Sequence, residues 1–490
     1  MRFVSALLLL FAFLLQIINS FESPVTSRMT PSVPTNGTTS STLPDRYSGS
    51  CTDISICRTR YTIIWSSLVT IIACVWTAIH RNIPRPKGRT HWFRHALDRV
   101  LEAAKIVVVT LLVPEWVLAW ALRQYLSART FGRELQKACE QTTQEKTSVG
   151  ENSDTGERER PGSRSSDHGT VGVDQQPDHS PLLPGKYDGH LKDDDLTTRH
   201  GFYTIMGGFH LYDKGQPIHP LSQNEVLDLV KTGDIVPPTD EELRGWSQGD
   251  TLSKTIAVVQ TLWFFVQATA RHLEGLPITQ LEVMTLAYAT MTVAMYFAWW
   301  CKPKNVGVPT RVTVKMPHDL PEAIPVKPQK WYWHVVSVIS GTQDHKVDLR
   351  TQHNVPIFYS GGTGDEIELY ADIIALFAAT GFGAIHFAAW RYVFPSGVEE
   401  IIWRVSSVVI VAVPVLLLAI LQPWMSLTGL KGRPTGWKPS EALTYVVIVS
   451  GLIYVTARML LIALAFSTLR SLPNDAYQSV QWTLLIPHFT

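Results

Sequence analysis

The chain has 490 residues, a formal net charge of +1, 45% hydrophobic residues and five cysteines. A near-neutral chain without a basic stripe or interleaved aromatic residues excludes nucleic acid as its partner. Its apolar residues gather in runs of about 20, the length a helix needs to cross a hydrocarbon core, which excludes a string of soluble domains.

Residues 1–20, with Arg2, a long apolar stretch and a small residue at Ser20, read as a cleaved secretory signal peptide. An uncleaved anchor is the alternative, because Ile18 is a poor residue at the position two before Ser20. Residues 21–60 form a lumenal Ser/Thr/Pro-rich segment with a glycosylation sequon at Asn36 and two cysteines, Cys51 and Cys57, that could pair on an oxidising side.

Six runs then read as transmembrane helices: 61–80, the pair 255–270 and 281–300 (within 255–300), and three more at 369–390, 403–421 and 444–466 (within 369–466). Residues 140–199 are polar and almost free of aromatic residues, which predicts a disordered insert. A cytosolic amphipathic segment follows at 200–252, with a short helix and turn in "LSQNEVLDLVKTGDIV". In the polar loop 302–366, "TRVTVKM" and "VPIFYSGG" are candidate strands. A tail, 467–490, ends the chain. Capping boxes are expected at Thr279–Glu282, Thr363–Glu366 and Ser396–Glu399, which makes helix capping the simplest role for those glutamates.

A seventh run, 106–122, carries Pro114 and Glu115 within "LLVPEWVLAWALRQ". Counted as a span, it would place loops 302–366 (eight Lys/Arg) and 423–442 (three Lys/Arg) on the lumenal side, against the positive-inside tendency. Counted as a re-entrant or interfacial helix, it leaves both loops cytosolic, together with the seven Lys/Arg of 81–105. The expected fold is therefore an all-α integral membrane protein of six transmembrane helices plus one re-entrant or interfacial helix, with seven spans as the alternative. Trp116 and Trp120 suit the headgroup zone, and Glu115 is expected to reach water or the loops beside it.

Ionisable groups inside such helices are costly, and they pair, line a cavity or act on a substrate. Glu115, Arg271, Glu282, His386, Arg404 and Arg458 are the candidates for a lumen-side polar pocket, with Glu400 and Arg404 spaced to pair. No Cys/His cluster has metal-ligand spacing, no cofactor motif is present and no Ser/His/Asp arrangement is recognisable. The partners expected are the bilayer and a hydrophobic small molecule.

Several blocks ("RYTIIWSSLVTIIACVWTAIHRNIP", "VPEWVLAWA", "HGFYTIMGGFHL", "LPITQLEVMTLAYA", "WWCKPKNV", "VPIFYSGG", "FGAIHFAAWRYVFPSGVEEIIWRVSS") resemble a large group of uncharacterised fungal multi-pass membrane proteins. The likeness runs from about residue 51 to the C-terminus without the 140–199 insert. It places Glu115, His210, Arg271, Glu282, His386, Trp390, Trp403, Arg404 and Arg458 inside motif blocks without giving any of them a role. The function expected is sensing, transport or scaffolding in a secretory-pathway membrane, the plasma membrane or the endoplasmic reticulum. The alternative is a membrane-bound enzyme or accessory factor for a hydrophobic metabolite in a fungal secondary pathway, with His386 and a carboxylate as acid/base candidates.

Overall fold

The computed structural model describes residues 57–84, 92–153, 194–304, 306–313, 344, 347–362, 365–428 and 441–480. The expected signal peptide, Asn36, Cys51 and the Thr363 end of one capping box lie outside these residues. In chain order come α1 (Arg60–Ala78), α2 (Trp92–Leu112) and α3 (Pro114–Ser153). A small mixed unit follows, with α4 (Asp194–Ile205), β1 (Phe209–Asp213), β2 (Gln216–Pro220), α5 (Gln223–Lys231) and α6 (Asp240–Trp246). The rest is α7 (Gln248–Leu273), α8 (Gln280–Ala298), β3 (Thr310–Val312), α9 (Asp365–Ile385), α10 (Gly397–Thr428) and α11 (Glu441–Ser467).

Five helical stretches are long and apolar enough to cross a membrane: α1, α8, Ile367–Ala389, Gly397–Ile420 and Tyr445–Ser471. The run expected at 255–270 lies in α7, which is not among these five. Gln260, Gln267, Arg271 and His272 dilute its apolar face, although Ile256, Val259, Leu262 and Trp263 are exposed along it. Exposed apolar side chains also cover α10 and α11, as lipid-facing helices require, whereas α8 is buried nearly all round and forms the axis of the bundle. Gly383 lets α9 approach α10: a Cβ there would sit 2.8 Å from Val411 Cγ2 and 3.0 Å from the Ile410 carbonyl oxygen.

Hydrogen bonds define the two ends of the bundle. At the terminal face, Cys57 bridges Gln478 in a short antiparallel contact, the Arg58 amide donates to the Tyr477 carbonyl at 2.8 Å, and the Arg58 guanidinium pairs with Glu282. Ser467 Oγ donates to Glu399 at 2.6 Å on the same face. At the opposite face, Lys302 reaches the His80 carbonyl and the Ile83 amide reaches the Met206 carbonyl.

The mixed unit packs on this second face. Its sheet has the order β2-β1-β3, antiparallel between β1 and β2 and parallel between β1 and β3, with Phe209 opposite Thr310. Lys214 and Gly215 both take positive φ, as a two-residue hairpin turn requires. The expected strand in "TRVTVKM" is β3, but "VPIFYSGG" forms turns and no strand. The expected short helix is α5, closed by a full capping box between Ser222 and Glu225.

The predicted disorder of 140–199 needs correction at both edges. α3 runs on to Ser153 and α4 begins at Asp194, while 154–193 lies outside the described residues. The physical reason is a packed interface: Thr142 Oγ1 donates to the Val230 carbonyl at 3.2 Å, and Ala138 and Cys139 are buried against the mixed unit.

Of the expected capping boxes, Thr279–Glu282 is complete. At Ser396 only half forms: the Glu399 amide donates to Ser396 Oγ at 3.3 Å, while the Glu399 carboxylate turns to Arg470 and Ser467.

Candidate functional site

The stretch 106–122 is not one helix. The chain breaks at Val113 between α2 and α3, and the two axes differ by 114°. Pro114 explains the break, because it has no N–H for the Thr110 carbonyl, yet it suits the first position of a new helix. A bend beyond a right angle turns the second arm back the way the first came. Glu102 on α2 and Trp120 on α3 both line one cleft at the sheet face, with Arg81, Asn82 and Val355. The tip of this hairpin, residues 111–115, meets the middle of α8 and α11. Tyr288 donates its hydroxyl hydrogen to the Leu111 carbonyl, one of the last-turn acceptors that the break leaves open.

Glu115 stands in the first turn of α3, where the helix dipole favours a negative charge. It faces Arg458 and Tyr454 of α11. Glu115 is partly buried, with Oε2 enclosed, and the hairpin turns it toward the bundle rather than toward the loops beside it. Arg458 is 2% exposed and its guanidinium carbon lies 3.8 Å from the Phe382 ring centroid and 5.4 Å from that of Tyr288. Its Nη2 donates to Tyr288 Oη at 3.4 Å. The Tyr454 hydroxyl faces the Glu115 carboxylate as its hydrogen-bond donor, whereas Arg458 Nε is buried and makes no hydrogen bond. His386 sits one layer further toward the terminal face. Its ring lies 5.0 Å from Phe382 and 6.1 Å from Trp403, and its Nδ1 contacts the Phe382 carbonyl oxygen at 3.0 Å.

The other candidates are placed elsewhere. Glu282 accepts from Arg58 and from the Thr279 amide and hydroxyl. Arg271 donates to the Gln478 carbonyl at 2.6 Å and the Pro277 carbonyl at 2.9 Å. Those contacts tie both terminal segments to the bundle. Arg404 pairs with Glu400 and stacks on Trp390 at 5.3 Å, at 37% side-chain exposure. One expected pocket thus separates into a mid-bundle cluster (Glu115, Arg458, His386), a terminal-face latch (Arg271, Glu282) and a surface pair (Arg404 with Glu400).

A second polar knot forms at the sheet face. Lys302 Nζ donates to the His80 carbonyl at 2.6 Å, Gln124 Oε1 at 2.8 Å and Asn82 Oδ1 at 3.3 Å, and lies 5.2 Å from the centroids of both Trp120 and Trp299. Burial pushes its pKa well below the ordinary lysine value. Three oxygens and two indole faces give this amine a complete shell. Lys304 adds a bond to the Thr77 carbonyl at 2.7 Å, so both lysines hold the C-terminal end of α1. Trp120 does not anchor in the headgroup zone as expected: it is 2% exposed and its indole N–H donates to the Tyr359 carbonyl at 3.1 Å.

A family model matches residues 39–166, 184–324 and 365–489. The chain belongs to DUF8562, a family of unknown function. No curated protein and no solved structure matches. The matched regions of this DUF8562 chain hold Glu115, Tyr288, Arg458, His386, Trp120 and Lys302, and leave out Tyr359.

Sequence reasoning missed Tyr288, Tyr454, Phe382 and the Lys302 knot. Tyrosines inside apolar runs carry no signal of their own. Lys302 did carry one: a charge directly after "WWC" at the end of a span, in a block already singled out. Among the described residues, no group of three or more His, Cys, Asp or Glu side chains could hold a metal ion.

Proposed function

We propose that this DUF8562 protein is a multi-pass transporter or sensor whose working site is the Glu115–Arg458 cluster at the tip of a re-entrant hairpin. The observation that carries this reading is the hairpin itself. It brings a carboxylate to the bundle middle beside a buried arginine whose Nε makes no hydrogen bond. A cluster with a merely structural task would be expected to satisfy its buried groups.

In this reading six helices cross: α1, α7, α8, α9, α10 and α11. Contact between residues 57–58 and 477–478 at one face supports an even number of crossings between them. That face is lumenal or extracellular in a secretory-pathway membrane. Cys57 is disulfide-bonded there, whereas Cys139 and Cys301 are in no disulfide.

Two measurements test the reading. Single cysteines at Asn474, Asp213 and Glu134 are exposed to a membrane-impermeant maleimide on intact cells. Labelling of Asn474→Cys alone supports six crossings with a re-entrant hairpin; labelling of Glu134→Cys or Asp213→Cys from outside overturns it. For function, gene loss followed by uptake and metabolite profiling sets the phenotype, and the chain is then restored as Glu115→Gln, Arg458→Gln or Arg404→Ala. Rescue by Arg404→Ala but not by the first two, at equal protein level, supports the site. Rescue by all three removes it.

A further inference from the structure

We propose that α2 is a binding face for anionic phospholipid, with its apolar stripe set in the leaflet on the sheet side and nearby basic residues holding the headgroups. The inference rests on the re-entrant reading above and names the partner of the hairpin's outer arm.

α2 has two faces. Ala103, Ile106 and Thr110 are buried where α2 meets α1, α3 and α11. Leu97, Val100, Leu101, Ala104 and Val108 are exposed. Their spacing of three or four residues puts them on one stripe along the helix. Nothing among the described residues covers that stripe.

The place of the stripe in the fold says what covers it. α2 ends at the hairpin tip, which Tyr288 fastens to the middle of the bundle. From Leu112 back to Leu97 is about 22 Å of helix. The midplane of a bilayer lies about 15 Å from its headgroups. The 114° bend inclines α2 to α3, and an inclined α2 keeps the stripe among acyl chains while its N-terminal end reaches headgroup level.

Charge then selects the lipid. Residues 81–105 hold seven Lys/Arg against two acids, Asp98 and Glu102. Lys105 is exposed one turn from Leu101 and from Val108, so its stem lies beside the stripe and its ammonium reaches up to the headgroups. Glu102 is half-buried and lines the cleft with Arg81, off the stripe. A cluster of basic residues on or beside an amphipathic helix at the cytosolic surface attracts anionic headgroups. An acidic protein would meet the charge, but an apolar face that continues to the bundle middle is suited to acyl chains. The tip is the end of α2, so the lipid that seats this arm also seats the tip.

The test places an environment-sensitive NBD fluorophore on Leu97→Cys of the full chain, in phosphatidylcholine nanodiscs with or without phosphatidylserine. The expected result is blue-shifted emission from acyl contact. Doxyl-labelled phosphatidylserine should also quench more strongly than the same fraction of doxyl-labelled phosphatidylcholine. That excess should fall about twofold in high salt, and likewise when Arg94→Gln and Lys105→Gln are combined. Water-like emission, or equal quenching by the two lipids, overturns the proposal, and so does an excess that salt leaves unchanged. The lipid and salt comparisons use the wild-type charges, so they decide the matter even if the double variant fails to fold. Neither needs transport or sidedness. Preferential quenching without the rescue pattern described above fails the functional reading alone; equal quenching with that pattern fails this proposal alone.

Discussion

The Tyr288 hydroxyl donates to the carbonyl of Leu111, 177 residues away in sequence, and so fastens the tip of a broken helix to the axis of the bundle. The break puts a backbone acceptor where no water can satisfy it, and one side chain of the central helix replaces the missing donor. Glu115 is held in place by the same joint.

Tyr288→Phe keeps the ring against Phe382, whose centroid lies 5.7 Å away, and removes the hydroxyl that donates to Leu111 and accepts from Arg458. The orphaned carbonyl is expected to cost about 1–3 kcal/mol. Thermal unfolding in detergent should show a lowered Tm with the folded baseline unchanged, and an unaltered Tm would remove the fastening role.

Lys302→Met should destabilise more, by about 3 kcal/mol or beyond, since it strands Gln124 Oε1, Asn82 Oδ1 and the His80 carbonyl together. Lys302→Arg is not expected to rescue, because a planar guanidinium does not fit a shell built around a compact ammonium. Fluorescence-detected size exclusion of the three proteins after a heat step would rank them, and a fully stable arginine variant would contradict the shell argument.

Gly201 is where α4 crosses α3. A Cβ there would come within 2.0 Å of the Ala128 carbonyl oxygen, a backbone atom that cannot yield. Gly201→Ala is expected to separate the mixed unit from α3, read as faster proteolysis in the 194–246 region. Gly245→Ala, where a Cβ meets nothing within 4 Å, is the control and should behave as wild type.

The mixed unit should lose stability in acid in two steps. Burial lowers the pKa of His210 from 6.5 to about 4, so the unfolded chain takes up a proton at this residue that the folded chain refuses. The resulting penalty grows as pH falls from about 6.5 to about 4, and amounts at most to ~3 kcal/mol. Glu225 follows lower down. Burial opposes its ionisation, but bonds from Ser222 and Arg350 outweigh burial and hold its pKa below 4.5, so its contribution is lost only beneath that value. Hydrogen exchange of α5 and β1 at pH values between these limits should show the first step in wild type and a flattened one in His210→Gln. A pH-independent wild type would contradict the sign.

Glu282→Gln and Arg404→Ala separate the latch from the surface pair. Glu282 is enclosed by Arg58 and Thr279, so its loss should release residues 57–58 and raise their proteolysis. Arg404 is over a third exposed and its ion pair is of the kind worth about 0–1 kcal/mol, so Arg404→Ala should leave Tm nearly unchanged. Equal effects of the two would remove the distinction.

The sequence by itself determined the helical class, most of the helices long and apolar enough to cross a membrane, the capping box at Thr279 and the oddity of Pro114–Glu115, because those are local: run length, hydroxyl–carboxylate spacing and a missing N–H act within a few residues. It also showed that 106–122 sits badly as a plain span. Only the tertiary structure decided which polar groups meet. Glu115 and Arg458 are 343 positions apart, and Arg271 and Arg404 look alike in sequence although one is buried in a latch and the other lies on the surface. A guanidinium in an apolar run is equally costly wherever it stands; the partner that offsets the cost depends on which helices pack side by side, and that is settled by the fit of whole faces around α8.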